Sequence, residues 1–306
     1  MKNLRTENGI IANWEGEIDK PLVSICCITY NHEFYIEDTL EGFLKQEIDF
    51  PFEILIHDDA STDNTADIIR KYVEKYPKLI KPIFQKENQY SKGCLISPRF
   101  LFPISKGKYI ALCEGDDYWT DKGKLQKQVS FLEGNSDYAI TYADCQPFDE
   151  MGAVDIDFGG ARRDLESIEL KKATPIFTLT TCFRNVIKDI PQDLMAARFG
   201  DLVMWSLLGQ YGKGKYLPDI APSAYRVHGG GVASLKEKKE KHQMRLITNA
   251  SLLAYYMRLN NQELIRHFTA EVLRDSVQSL GLVDSMRTLV ILGFRRLYIW
   301  FKKTCV

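Results

Sequence analysis

Apolar and polar positions alternate along the first 120 residues in blocks whose lengths and periods define the elements. Residues 22–30 form a short, nearly continuous apolar run, as expected of a parallel strand covered on both faces. Asn31 and His32 interrupt it, and Ile36, Leu40, Phe43 and Leu44 then recur at helical spacing, predicting a helix that ends near Gln46. A second run, 52–57, stops at Asp58-Asp59. Behind it, Ser61, Thr62 and Asp63 offer helix caps to a stripe of Ile68, Ile69, Tyr72, Val73 and Tyr76, closed by Pro77. A third strand is predicted at 80–85 and, after a loop and short helix, a fourth at 108–113, ending in Glu114-Gly115-Asp116-Asp117.

Farther on, the pattern predicts a helix over 125–132, a strand over 138–142 and a loop-rich stretch over 145–172. A strand-like run follows at 175–183, then an amphipathic helix from Asp201 through Leu208 and extended chain over 215–227 reaching His228-Gly229-Gly230-Gly231. A charge run at 236–241 opens a helical tail. Strands alternating with helices imply βαβ units, hence an α/β fold with a mainly parallel, Rossmann-like sheet flanked by helices and a C-terminal helical extension. The organisation expected is a loosely held arm (1–20), two halves of one domain (21–120 and 121–235) and the extension (236–306).

Composition adds limits. Hydrophobic residues make up 45% and charged residues 26% of the 306, which is ordinary for a globular chain and argues against disorder. The net charge of -1 provides no global field for nucleic acid, so electrostatic preference must be local. Most of the seven cysteines sit in apolar runs without a CxxC pair, as buried thiols do. The first residues lack an apolar core of signal-peptide length, and no apolar stretch reaches the roughly 18 residues that span a bilayer. A cytoplasmic location is therefore expected.

Ligands of open parallel sheets gather beyond the carboxyl ends of the strands. This chain concentrates acids there: Asp58, Asp59, Glu114, Asp116 and Asp117. Such acids can bind a hard divalent ion through oxygen or hydrogen-bond ribose and base edges, and a sugar nucleotide needs both. In Glu114-Gly115-Asp116-Asp117 at least one acid is expected on the metal and another on ribose; the alternative is a solvated acidic turn. Asp58 or Asp59 could accept from the N–H of a uracil-like base, or simply cap the next helix. Arg226 and His228 stand two apart before a glycine run, so in extended chain they share a face. Arginine suits a phosphate and histidine can complete a metal site. Asp201 reads either as a helix cap or as a general base for an acceptor hydroxyl.

Together, TYN (29–31), HDDASTDNT (57–65), CEGDDYW (113–119), FGDLVMW (199–205) and YRVHGGG (225–231) resemble the motifs of family 2 glycosyltransferases of GT-A fold, of the bacterial type that builds surface polysaccharides. The resemblance covers roughly residues 20–235, with every motif in order. It implies that Ile28, Thr29 and Tyr30 line base and ribose, that Asp59 beside Asp58 reads the base, and that Asp116 and Asp117 are the metal-and-ribose acids. It further implies Asp201 as the inverting base and His228 as a holder of metal and diphosphate. Glu114 departs from the family's commoner aspartate, which leaves open which acid meets the metal. The implied cofactor is Mn²⁺ or Mg²⁺. The implied partners are a nucleotide-diphosphate sugar, of UDP type, and a glycan or lipid-linked acceptor, with room for a homo-oligomer.

A glycosidase would instead need two carboxylates facing each other ~5–9.5 Å apart, whereas these acids cluster on one side. Two other readings are a sugar nucleotidyltransferase, which would want an early glycine-rich phosphate loop, and a non-catalytic sugar-nucleotide or glycan-binding module. In the tail, residues 286–303 set Leu289, Val290, Phe294, Leu297, Trp300 and Phe301 against Arg295, Arg296, Lys302 and Lys303. That pattern reads as an interfacial helix on the inner face of a membrane, or as a helix packed on the core or on a twin subunit.

Overall fold

The computed structural model describes residues 4–229 and 237–280; the predicted tail helix at 286–303 and Gly230-Gly231 lie outside them. In chain order the helices are α1 (Glu7–Ile11), α2 (Ile36–Leu44), α3 (Thr65–Lys75), α4 (Lys124–Gly134), α5 (Ser167–Lys171), α6 (Gly200–Leu208), α7 (Lys238–Arg258) and α8 (Gln262–Leu280). The strands are β1 (Val23–Thr29), β2 (Phe52–Asp58), β3 (Ile80–Phe84), β4 (Tyr109–Leu112), β5 (Tyr138–Tyr142), β6 (Cys145–Asp149), β7 (Gly152–Ala153), β8 (Cys182–Arg184), β9 (Lys213–Tyr216) and β10 (Ser223–Arg226).

Seven strands form the central sheet in the order β3-β2-β1-β4-β8-β5-β9. β1 pairs in parallel with β2 and β4, and β2 with β3, so the four strands read from the apolar runs share one direction. β8 runs antiparallel between β4 and β5. The four βα blocks thus end at one edge of the sheet, where the acids stand. This is the GT-A-like α/β fold expected, with C-terminal helices.

Three segments differ from the pattern. The run at 175–183 becomes a 3₁₀ turn (Thr178–Thr180) and the short β8. There, Thr180 Oγ1 donates to Phe177 O and Thr181 Oγ1 to Thr178 O, both at 2.8 Å, and such local bonds compete with a ladder. The loop-rich stretch holds β6, which pairs in parallel with β10 and antiparallel with β7 in a small second sheet. That sheet delivers Arg226 to the site. From residue 4 onward the arm is docked rather than loose: Arg5 donates to Gln46 O, Glu7 accepts from the backbone N–H of Lys78, and Ile10 is buried.

α7 and α8 form an antiparallel hairpin, with Asn249 bonded to Asp275 and Tyr256 stacked on Phe268. Its apolar residues Leu252, Tyr256, Leu264 and Phe268 share one core with Val203, Trp205 and Leu208 of α6. Among the described residues no helix is long and apolar enough to cross a membrane.

One core residue carries a measurable signature. Lys124 is fully buried, donating to Gln128 Oε1 at 2.8 Å with its Nζ 4.1 Å from the centre of the Trp119 ring. Burial pushes its ammonium down to about 8 from an ordinary 10.5. The unfolded chain therefore binds more protons between those two values, and stability rises with pH across that window. Wild type should gain about 3 kcal/mol there relative to Lys124→Met, read by urea unfolding at pH 8 and 10.5. Parallel profiles for the two proteins would refute it.

Candidate active site

The β1–α2 loop is held by the loop after β2. Asn31, in the left-handed region at φ 55°, accepts from Thr62 N through its side chain, and its own N–H donates to Ser61 Oγ. His32 N donates to Thr65 Oγ1 at 2.8 Å and Glu33 N to Asp63 Oδ2 at 3.1 Å. The small polar residues at 61–65 thus orient His32 across the gap between two strands as well as introducing α3. Asp58 accepts from Ser61 N and Oγ; burial raises its carboxyl above the usual range, against the Ser61 bonds. Asp59, buried, accepts from Gln89 N at 2.8 Å and Tyr90 N at 2.9 Å, which ties β2 to the loop after β3. Of the β1 residues, Ile28 is half-buried, Tyr30 exposed, and Thr29 buried with an Oγ1 that has no partner.

Beyond β4 the chain turns through Gly115, whose N–H donates to Ile28 O at 2.8 Å. A Cβ at Gly115 would lie 2.5 Å from Thr29 Oγ1, so only glycine lets the turn sit this close to β1. The turn sends its two aspartates to different places. Asp116 Oδ2 lies 2.9 Å from His228 Nε2 and 3.7 Å from His32 Nε2. Burial works to raise its carboxyl, but the His228 bond and the two nearby imidazoles hold it below the usual range. His32 is itself pushed down by burial, with Asp116 opposing. Asp117 lies inside, 3% exposed, accepting from Arg226 N at 2.7 Å, and burial beside Asp116 and Glu114 raises it well above normal.

Arg226 packs between the rings of Tyr35 and Phe148, its guanidinium 4.6 Å from each centre. Its Nε donates to Asp116 O and an Nη to Asp38, both at 2.9 Å, so it braces the acidic turn from the second sheet. Glu114 is half-buried; burial first, then Asp116 and more weakly Asp201, push its carboxyl up to about 8. Asp201 lies in the first turn of α6. Burial raises its own carboxyl, opposed by backbone N–H bonds and the charge of Arg245 on α7.

One ligand atom each from His32, Asp116 and His228 lie within 4.8 Å of one another, the one such His/Cys/Asp/Glu group among the described residues. One carboxylate and two imidazoles suit a divalent first-row ion. Asp117 is aimed away from this group, and Arg226 gives donors to protein oxygens. His32 is the member that motif reading passed over, because in sequence it marks only the end of a strand. Its signal is position: β1 and β4 are neighbours, so the residues just beyond both face the same opening.

The chain matches Glycosyl transferase family 2 over residues 24–189, more than half its length, and it belongs to that family. It is 31% identical over 76% of its length to TuaG of Bacillus subtilis, a candidate teichuronic acid biosynthesis glycosyltransferase, covering 87% of that protein. It is 28% identical over 77% of its length to WfaP of Escherichia coli, a UDP-Glc:alpha-D-GlcNAc-diphosphoundecaprenol beta-1,3-glucosyltransferase, covering 89% of it. Uncharacterized mycobacterial relatives match at 36% identity over 69% of the chain, which spans 60% of their length. The fold is shared with Staphylococcus aureus TarS 1-349 in complex with UDP-GlcNAc, at a TM-score of 0.59 and 20% identity over 83% of this chain and 72% of that one.

Proposed function

We propose that the protein is an inverting, metal-dependent glycosyltransferase that moves a sugar from UDP to a hydroxyl of a glycan or lipid-linked glycan in surface polysaccharide synthesis. The observation carrying this reading is the convergence of His32, Asp116 and His228 beyond β1, β4 and β10, in a family 2 chain. The UDP donor and lipid-linked acceptor are supported by the substrates in the name of WfaP and by the nucleotide sugar bound to TarS, and the setting by TuaG. Residues 21–120 would then form the donor half and 121–235 the acceptor half, with Ile28, Thr29 and Tyr30 beside base and ribose.

His32, Asp116 and His228 would hold the ion, and two nitrogen donors favour Mn²⁺ over Mg²⁺, which prefers all-oxygen shells. When bound, such an ion neutralises charge on a diphosphate leaving group. The residues of the chain do the rest. Arg226 and Gly115 fix the turn that carries Asp116. Asp201 takes the proton from the acceptor hydroxyl as that oxygen bonds to the anomeric carbon from the face opposite the nucleotide. The bond from that carbon to the diphosphate oxygen breaks, UDP leaves, and one displacement inverts the centre.

The test is UDP release from a panel of UDP-sugars, with a polyprenyl-diphosphate-linked GlcNAc acceptor and either Mn²⁺ or Mg²⁺. Expected is acceptor-dependent release, faster with Mn²⁺, giving a product of opposite anomeric configuration. A retained configuration, or equal release without any divalent ion, would overturn the reading.

A further inference from the structure

Asp201 sits at a helix start whose N-cap side chain gives it no bond. The residue at the N-cap of α6 is Phe199, extended at φ -102° and ψ 94°, with no side-chain cap bond, and Gly200 follows. Phenylalanine has no oxygen to offer the first free N–H groups, and glycine leaves the backbone loose. The anchor comes from α7, about fifty residues later in the chain. Thr248 is completely buried, and its Oγ1 accepts from both Arg198 N and Phe199 N at 3.0 Å while donating to Met244 O at 3.0 Å. One hydroxyl has its donor and both lone pairs used, two of the three bonds holding the chain just ahead of Asp201.

The rest of α7 fixes the same helix. Ser206 Oγ and Tyr256 Oη lie 2.8 Å apart, and Gln210 donates to Tyr255 Oη at 2.7 Å. Arg245, one turn before Thr248, brings its charge to bear on Asp201. The helical extension thus grips α6 along its length and most closely at its first turn.

We propose that Thr248 is a positioning residue for transfer, its hydroxyl clamping the backbone at 198–199 so that Asp201 meets the acceptor hydroxyl. This rests on Asp201 acting as the base. The clamp acts on geometry at one carboxylate, so its loss should lower kcat and leave donor binding alone, since a displacement of about 1 Å can cost roughly 100-fold in rate.

The experiment compares Thr248→Val, nearly the same shape without the hydroxyl, with Thr248→Ser, which restores it. Hydrogen exchange over residues 196–202 should speed up in the Val variant and return to wild type in the Ser variant. In the Val variant kcat should fall about 10- to 100-fold with KM for the UDP-sugar within about two-fold, and serine should recover most of the loss. Combined with Asp201→Asn, the Val change should slow the enzyme no further. Unchanged exchange or an unchanged kcat overturns the clamp. So does an equal further loss in the Asp201→Asn background, or a fall in kcat matched by weaker binding of UDP. Full turnover by Asp201→Asn alone removes the base role itself, a failure seen without touching Thr248.

Discussion

Asp201→Asn is expected to reduce transfer by about three orders of magnitude while leaving UDP and Mn²⁺ binding within a few-fold of wild type. The magnitude is that of losing a positioned general base, typically 10²–10⁴. Binding should survive because Asp201 is not part of the His32, Asp116, His228 group, and an amide oxygen can still accept the N–H of Leu202 that the carboxylate accepts. Folding should survive as well, since burial already disfavours the charged form at this position. The same shift fixes a pH signature. A base must be deprotonated to act, and a carboxyl raised by burial stays protonated to a higher pH than a free aspartate. The acid limb of kcat should therefore lie above the ordinary carboxylate range and vanish from whatever residual rate the variant keeps. Turnover near wild type, or an acid limb that persists unchanged, would take Asp201 out of this role.

How much of this was legible in advance depends on whether a side chain's direction follows from its own segment. The four parallel strands were, because each is a self-contained apolar run bounded by polar residues, and the clustering of acids at their carboxyl ends follows from shared direction alone. What Asp116 and Asp117 do was not. They are adjacent, both acidic, and alternate in facing, so the one that points outward is chosen by the partner strand. Tyr118 bridges to Ala224, which brings the backbone N–H of Arg226 onto Asp117 and leaves Asp116 facing the histidines. That partner lies more than a hundred residues away. Arg226 is a similar case: its spacing from His228 suggests a shared face, yet its guanidinium is spent on Tyr35, Phe148, Asp38 and the Asp116 carbonyl. His32 was invisible for the opposite reason. Its neighbours Asn31 and Glu33 look like a strand end, and only the bonds from 61–65 turn that end into a platform aimed at Asp116. Thr248 belongs to the same class, a core hydroxyl on a polar helix whose partners are backbone groups no pattern can name.

Those two aspartates give the second large effect, and it separates them. Asp116→Asn removes an anionic oxygen that faces both imidazoles, at 2.9 and 3.7 Å, and leaves a neutral amide in its place. Mn²⁺ affinity in the presence of UDP should fall at least about 100-fold, the upper end of what is lost when a residue that only orients a ligand is removed. UDP-sugar turnover should fall with it. Asp117→Asn tests the neighbour. Its Oδ1 serves the Arg226 N–H inside the protein, and an asparagine oxygen can accept that bond in the same place. This variant should bind Mn²⁺ within about three-fold of wild type, because metal affinity is sensitive to the ligands and their supports and Asp117 keeps its supporting bond. Electron paramagnetic resonance of free Mn²⁺ during titration reads both without any turnover. If Asp117→Asn loses the ion and Asp116→Asn keeps it, the turn must open so that its inner acid becomes the ligand, and the assignment of His32 and His228 falls with that of Asp116. If both lose it, the two acids share the ion and the inward bond to Arg226 is exchanged for it on binding.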